Sequence, residues 1–317
     1  MSLLLGLLDN ASVQGLTYGV AVLGLTVAFR VIRFPDLTAD GSFVLGASAF
    51  AAAALRNLPW AVALGCAVLA GAICGLTTTL VHQRLRVGPL LSGILTTMVA
   101  YSIAFRVMGR SNLGLLSVAT PYTWLSSWDD VDAWRALQVR PGTLVVSGFY
   151  AILMAAATAW LLRSQLGLLL RAAGSNPDLV EELGRRPTIY QGIGLVFANA
   201  VVALSAALLA SRQGFADVNM GVGVTISLLA SLVLGEELLR LLRVDPARHL
   251  AGRVVAAFAG AFVYFLMYLV ILRASIQGWL PVNVQPTDLK LLSAVVVAIS
   301  FFIRLRYARA GEEPLPV

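Results

Sequence analysis

The chain has 317 residues, of which only 12% are charged and 59% apolar, and its mean hydropathy is +0.84. A soluble globular protein carries about twice that charged fraction, so these values exclude one. The net charge of +7 does not argue for a nucleic-acid partner, because the arginines sit between apolar runs, where membrane topology explains them.

The chain contains a single lysine, Lys290, and no G-x-x-x-x-G-K-[ST] pattern, which rules out the usual nucleotide-binding P-loop. The chain needs no cofactor of its own; any ATP that drives it is bound by another subunit. Cys66 and Cys74, eight apart in one apolar run, read as small hydrophobes and not as a disulfide or metal site.

The N-terminal MSLLLGLLDN has no basic residue and reads as a retained interfacial segment, not a cleaved signal. A first span covers Val13 to Phe29 and ends at Arg30 and Arg33; FPDLTADGS follows, then a small-residue apolar run from Phe43 to Leu55. Further spans are read at Trp60–Val81, Leu90–Val107, Leu144–Leu162, Ile189–Leu209, Val222 to about Gly235, Val254–Leu272 and Leu289–Ile303. Most reach roughly the 17–25 residues needed to cross a bilayer. The expected architecture is an all-α polytopic transmembrane bundle of nine spans, within a range of eight to ten. It forms a single domain over 1–317, with helices broken near 34–55 and 215–235.

Basic residues set the orientation. Alternating the spans so that the C-terminal tail is cytoplasmic places 15 of the 23 Lys+Arg residues on that side. They lie in the loops at 30–40, 82–88, 163–187 and 240–253 and in the tail, as the positive-inside rule requires. The long 110–142 loop, with Trp124, Trp128, Trp134, Asp129, Asp130 and Asp132, then lies outside. Its tryptophans read first as interfacial anchors and second as aromatic recognition groups.

The polar stretch Arg171 to Pro187, RAAGSNPDLVEELGRRP, carries its own helix signals. Asn176 suits the N-cap and Pro177 the first helical position; Asp178, Glu181 and Glu182 favour the positive end of the helix dipole. Leu179 and Leu183 share a face with Val180, and Gly184 stops the helix before Arg185 and Arg186. About two turns is too short to be stable alone in water, so this helix needs something to dock against.

Asp36 and Asp40, beside Pro35, Thr38, Gly41 and Ser42, fall close to membrane depth. Ionisable groups there are costly and face protein or a water-filled path. Phe34-Pro-Asp-Leu-Thr aligns with Phe215-Ala-Asp-Val-Asn, 181 residues later, and each precedes a glycine-containing apolar run. Paired interrupted helices point to a transport pathway that includes Asp217 and Asn219. The plainer reading is two polar turns at opposite membrane surfaces, with Asp36 and Asp217 capping helices.

These residues also resemble a known family. RAAGSNPDLVEELGRRP looks like the cytoplasmic coupling segment of ABC importer permeases. FPDLTADGSFVLGAS resembles the Asp-Leu-Ser/Thr…Gly-Ser signature of permeases for branched-chain amino acids and simple sugars. GFADVNMGVGVTISLLASLVLGEELL resembles a segment of the tryptophan/tyrosine uptake permeases.

The resemblance implies a homodimer in the bacterial inner membrane that binds two cytoplasmic ATPase subunits. An extracytoplasmic binding protein would deliver a small amino acid-like solute. Asn176, Pro177, Asp178, Leu179, Glu181, Leu183 and Gly184 would then form the coupling helix, with Arg171, Arg185 and Arg186 at its rim. Asp36, Thr38, Asp40 and Ser42 would help shape the pathway, and the 110–142 loop could touch the binding protein.

Two other classes compete. An ion-driven secondary transporter would suit the broken helices and Asp36/Asp40, but it leaves the capped helix without a task. A membrane enzyme finds no support: His82 and His249 have no acid/base or metal-ligand partners nearby in sequence. Glu236 and Glu237 read as helix-end ion pairs with Arg240 and Arg243.

Overall fold

The computed structural model describes residues 2–125, 129, 140–242 and 250–277, together with positions 291, 294, 295 and 298. Trp128, Trp134, Asp130, Asp132, Arg243, Arg248, His249, Lys290 and the tail lie outside these residues. So, for the most part, does the expected last span.

The first helix, α1 (Ser2–Thr26), runs directly into a π-helical turn at Val27–Val31. The helix is continuous from Ser2 and the candidate span starts at Leu5, so the N-terminal residues join the first span and are not a separate interfacial segment. After an extended link come α2 (Ala39–Leu55), α3 (Trp60–Arg84), α4 (Pro89–Met108), α5 (Pro141–Arg163), α6 (Gln165–Ser175) and the short α7 (Pro177–Glu182). The chain continues through α8 (Pro187–Gln213), α9 (Val224–Leu241) and α10 (Leu250–Ile276). Strands β1 (Asn112–Gly114) and β2 (Phe215–Asp217) pair antiparallel, with Leu113 opposite Ala216.

Among the described residues, seven helices are long and apolar enough to cross a membrane; the apolar α2 is shorter. Its 17 residues extend about 25 Å, less than the hydrocarbon thickness, so the link before it must enter the membrane layer. The break expected near residue 34 is thus a structural feature.

Helix α8 is the central post: 78% of its apolar window is buried, against 28% for α4 and for α5, which lie at the periphery. It packs on α1, α2 and α3 through small residues. A Cβ on Gly46 would lie 2.6 Å from the Ala203 side chain, and one on Gly71 would lie 2.3 Å from the Asn199 carbonyl oxygen. In lipid, where apolar contact alone drives little association, such close backbone approach supplies the packing energy.

Long-range contacts gather the basic loops at one end of the bundle. Gln83 Nε2 donates to Thr188 O (2.6 Å), and Arg30 binds Glu236 through two 2.7 Å bonds. At the other end Arg140 N donates to Asp9 Oδ2, and Arg212 Nη2 donates to Asn10 Oδ1. This division agrees with the alternation deduced from charge. The expected helix-end ion pair forms between Glu237 and Arg240 (3.0 Å), while Glu236 also reaches Arg30 on the π turn after α1; Arg243 lies outside the described residues. Successive residues on a helix point about 100° apart, so Glu236 faces inward where Glu237 does not.

Candidate functional site

The link between the π turn and α2 is buried among α3, α4 and α8, and a connected set of polar groups holds it. Asp36, Thr38 and Ser42 are at most 2% exposed. Asp36 Oδ1 accepts from Thr38 N (2.8 Å), and Asp36 Oδ2 accepts from Asn199 Nδ2 (2.7 Å). Ser42 Oγ donates to Asn199 Oδ1 (2.5 Å), while the Thr38 and Thr78 hydroxyls meet at 2.6 Å. Thr97 Oγ1 donates to Leu37 O (2.9 Å). A non-helical backbone inside a bilayer survives only when such partners replace water.

Asn199 lies midway along the 27-residue α8, so this joint sits at mid-depth. The reading of Asp36 to Ser42 missed Asn199 and Thr78. The available signal was a carboxamide in the middle of an apolar span, which requires a partner there.

Asp40 has a different task. Its Oδ1 accepts from Thr225 N (2.6 Å) and Thr225 Oγ1 (2.6 Å), and its Oδ2 accepts from Gly223 N (2.9 Å). Helix α9 begins at Gly223 (φ 77°), which has no side chain to cap it, so Asp40 caps it from across the bundle. The two broken segments therefore meet: residues 34–42 hold the start of the helix that follows 215–223.

The aligned aspartates share a local turn, since Asp217 Oδ1 accepts from Asn219 N (2.7 Å) as Asp36 does from Thr38. Their settings differ. Asp36 is buried, whereas Asp217 sits in the β1–β2 pair with exposed Asn112 opposite, and Asn219 is exposed.

At the basic end, the capped helix forms as its signals predict. Asn176 Oδ1 accepts from Leu179 N (3.3 Å), Pro177 opens α7, and Gly184 (φ 70°) ends it in the left-handed region that favours glycine. Leu179 and Leu183 are 45% and 62% exposed, together with Asp178, Glu181, Arg185 and Arg186. Val180 does not share their face. It is fully buried and belongs to a cluster with Ile32, Phe34, Leu170, Tyr190 and Leu195. Adjacent residues on a helix diverge by about 100°, so one points into the subunit while its neighbour points out.

Arg171 folds back onto Gly167 O (3.3 Å) and Leu162 O (3.2 Å), and Arg185 Nη1 donates to Tyr190 Oη (2.9 Å). Helix α6 lies directly on the π turn: a Cβ on Gly174 would come 2.1 Å from Val31 O. One apolar cluster therefore joins α7 to the buried link, and Leu195 and Ala198 extend it to the neighbours of Asn199.

An apolar helical bundle with a buried, polar-fastened break at mid-depth and a short capped helix on its basic surface defines a multi-pass membrane permease. Over residues 7–310 the chain matches the family described as branched-chain amino acid transport system / permease component. It belongs to that family of ABC-type transporter permeases and is a transport component, not a catalytic enzyme. Its place is the bacterial inner membrane.

An uncharacterised protein of Rickettsia prowazekii (strain Madrid E) is 32% identical over 298 residues, which cover 93% of this chain and 97% of that protein. A tyrosine transport system permease protein of Clostridioides difficile (strain R20291) is 30% identical over 285 residues, 90% of this chain and 86% of that protein. No solved structure matches the chain.

Proposed function

We propose that this chain is the membrane-spanning subunit of an ATP-driven importer for a small amino acid-like solute, aromatic or branched-chain. Two copies would form the pathway, two cytoplasmic ATPase subunits would dock on α7, and an extracytoplasmic binding protein would deliver the solute. ATP would bind to the partner subunits alone. The family supports ATPase and binding-protein partners in general, and the Clostridioides difficile relative supports an aromatic amino acid as cargo.

One observation carries the reading. Helix α7 exposes Leu179 and Leu183 at the basic end while Val180 anchors it in the cluster that reaches Phe34. An ATPase groove closing on these leucines would push on the buried link as well as on α8. Asp36, Thr38, Asp40 and Ser42 would then shift the segment that shapes the pathway, and Asp217 and Asn219 would lie at its outer end. Substrate and nucleotide can drive such a change only through different affinities for the two states. The ion-driven alternative is weakened because both Asp36 oxygens are already hydrogen-bonded within the subunit.

The test is Leu179→Asp plus Leu183→Asp, reconstituted in proteoliposomes with the candidate ATPase. Two charges on an apolar docking face should lower ATPase binding by at least about a hundredfold, since each replaces apolar burial with an unpaired carboxylate. Insertion should be normal, because both side chains face solvent. Unchanged ATPase binding would remove α7 from the coupling role and return the ion-driven reading.

A further inference from the structure

Helix α9 is gripped at both ends by one short stretch of chain, residues 30–40. At its start, Asp40 accepts from Gly223 N (2.9 Å), Thr225 N (2.6 Å) and Thr225 Oγ1 (2.6 Å). Towards its other end, Arg30 donates from Nε to Glu236 Oε1 and from Nη2 to Glu236 Oε2, both at 2.7 Å. Thr225 and Glu236 lie about 16 Å apart along the helix, so the stretch runs beside α9 and fastens it twice.

Each fastening joins an ionised group to matched partners: a carboxylate to a helix N-terminus, and a guanidinium fork to a carboxylate. The Arg30 and Glu236 side chains are mostly buried, so water and salt screen their pairing little. Between the two points the stretch is itself anchored. Asp36 accepts from Asn199, and Gly174 seats α6 against Val31 O. Arg30 sits on the π turn, where Ile32 N reaches back to Val27 O (3.0 Å). Such wide turns recur at functional sites.

We propose that Arg30 and Glu236 are positioning residues for transport, which together with Asp40 bind α9 to the broken segment as one moving body. A displacement of the π turn then reaches both ends of α9 at once. Held at Asp40 alone, α9 could tilt about its capped start; the ion pair prevents this. The fastening stands on these contacts, while its use in transport rests on the importer reading.

The fastening is tested on the full chain in detergent. Unfolding midpoints are reported by a thiol-reactive dye on buried Cys74 in a Cys66→Ala background. Arg30→Gln and Asp40→Asn should each lower the midpoint by about 3 °C or more, since each removes the charge from a hydrogen-bonded pairing. Contacts this far apart normally contribute additively. Within one body they do not, because once one is lost the other holds α9 less firmly, as in any two-point attachment. The double substitution should therefore fall short of the summed shifts by about a third or more. Arg30→Lys keeps the charge and should recover part of the loss. Glu237→Gln, which acts on the pair with Arg240, should add to Asp40→Asn in full. If Asp40→Asn does not fold, Thr225→Val removes one bond of the same cap and replaces it in the cycle. Additive shifts for the Arg30 and Asp40 variants, or single substitutions that leave the midpoint unmoved, overturn the proposal.

The role in transport is read in proteoliposomes with the candidate ATPase and binding protein, using tyrosine as the probe. Arg30→Gln should bind the ATPase and hydrolyse ATP as the native chain does, while tyrosine uptake per ATP falls about tenfold or more. Arg30→Lys should lose less. Unchanged uptake per ATP in Arg30→Gln overturns the positioning role. If the native chain binds no ATPase, the importer reading falls, and the midpoints still decide the fastening.

Discussion

Asn199→Leu is expected to lower the stability of the folded chain by about 3 kcal/mol or more, because it strands a buried carboxylate oxygen. Asn199 donates to Asp36 Oδ2 and to Leu195 O, and it accepts from Ser42. Leucine fills a similar volume but offers none of these bonds, and Asp36 at 2% exposure has no water to replace them.

Thr78→Val serves as the comparison. It removes two neutral hydroxyl contacts, with Thr38 and with the Cys74 carbonyl oxygen, and should cost only about 1–2 kcal/mol. Cys74 supplies the readout: it is 3% exposed, so a thiol-reactive dye reports its release on heating, in a Cys66→Ala background. A clear fall in midpoint for Asn199→Leu with a small one for Thr78→Val is the expected pattern. Equal midpoints for Asn199→Leu and the native chain would mean that the mid-depth joint does not hold the broken segment.

Gly174→Leu is expected to lift α6 off the π turn. Its Cβ would lie 2.1 Å from Val31 O and 2.8 Å from Ile32 Cα, both backbone atoms that cannot rotate away. The two segments must separate by about 1 Å, at an overpacking cost of about 1–3 kcal/mol. Because Val180 anchors α7 in the same cluster that holds α6 and the π turn, α7 should loosen with α6.

Trypsin reads this directly. The Arg185–Arg186 bond follows α7 in an exposed loop, and cleavage there should quicken by about tenfold or more as the local opening energy falls. Gly65→Leu makes the same substitution where no atom lies within 4 Å, and it should leave the rate unchanged. Equal cleavage in Gly174→Leu would show that α7 is held independently of the π turn. In the proposed importer, the substitution should also uncouple ATP hydrolysis from transport.

Much of this architecture was legible without the fold. The spans follow from apolar run length, and the end that gathers the basic loops follows from arginine placement. Helix α7 follows from Asn176, Pro177 and Gly184. Each is a local property: a segment's transfer energy and its terminal hydrogen bonds depend on residues within a few positions of one another. The break before α2 was legible for the same reason, since Pro35, Asp36 and Asp40 cannot sit in a lipid-facing helix.

The sequence by itself therefore determined which segments enter the membrane, which do not, and where short helices start and stop. Tertiary structure alone decided how the polar residues pair. A lone Asn199 or Asp36 announces that it needs a partner, but not that the two are each other's, 163 positions apart. Glu236 had arginines four and seven residues further on, yet it is bound by Arg30, 206 positions away. Asp40 looked only like a pathway residue beside Asp36, and the partners it caps on α9 lie 183 and 185 positions away. Val180 looked like part of an exposed leucine face and points inward. In each case the energy lies in removing two groups from water or lipid together, and only the packed backbone fixes which two meet.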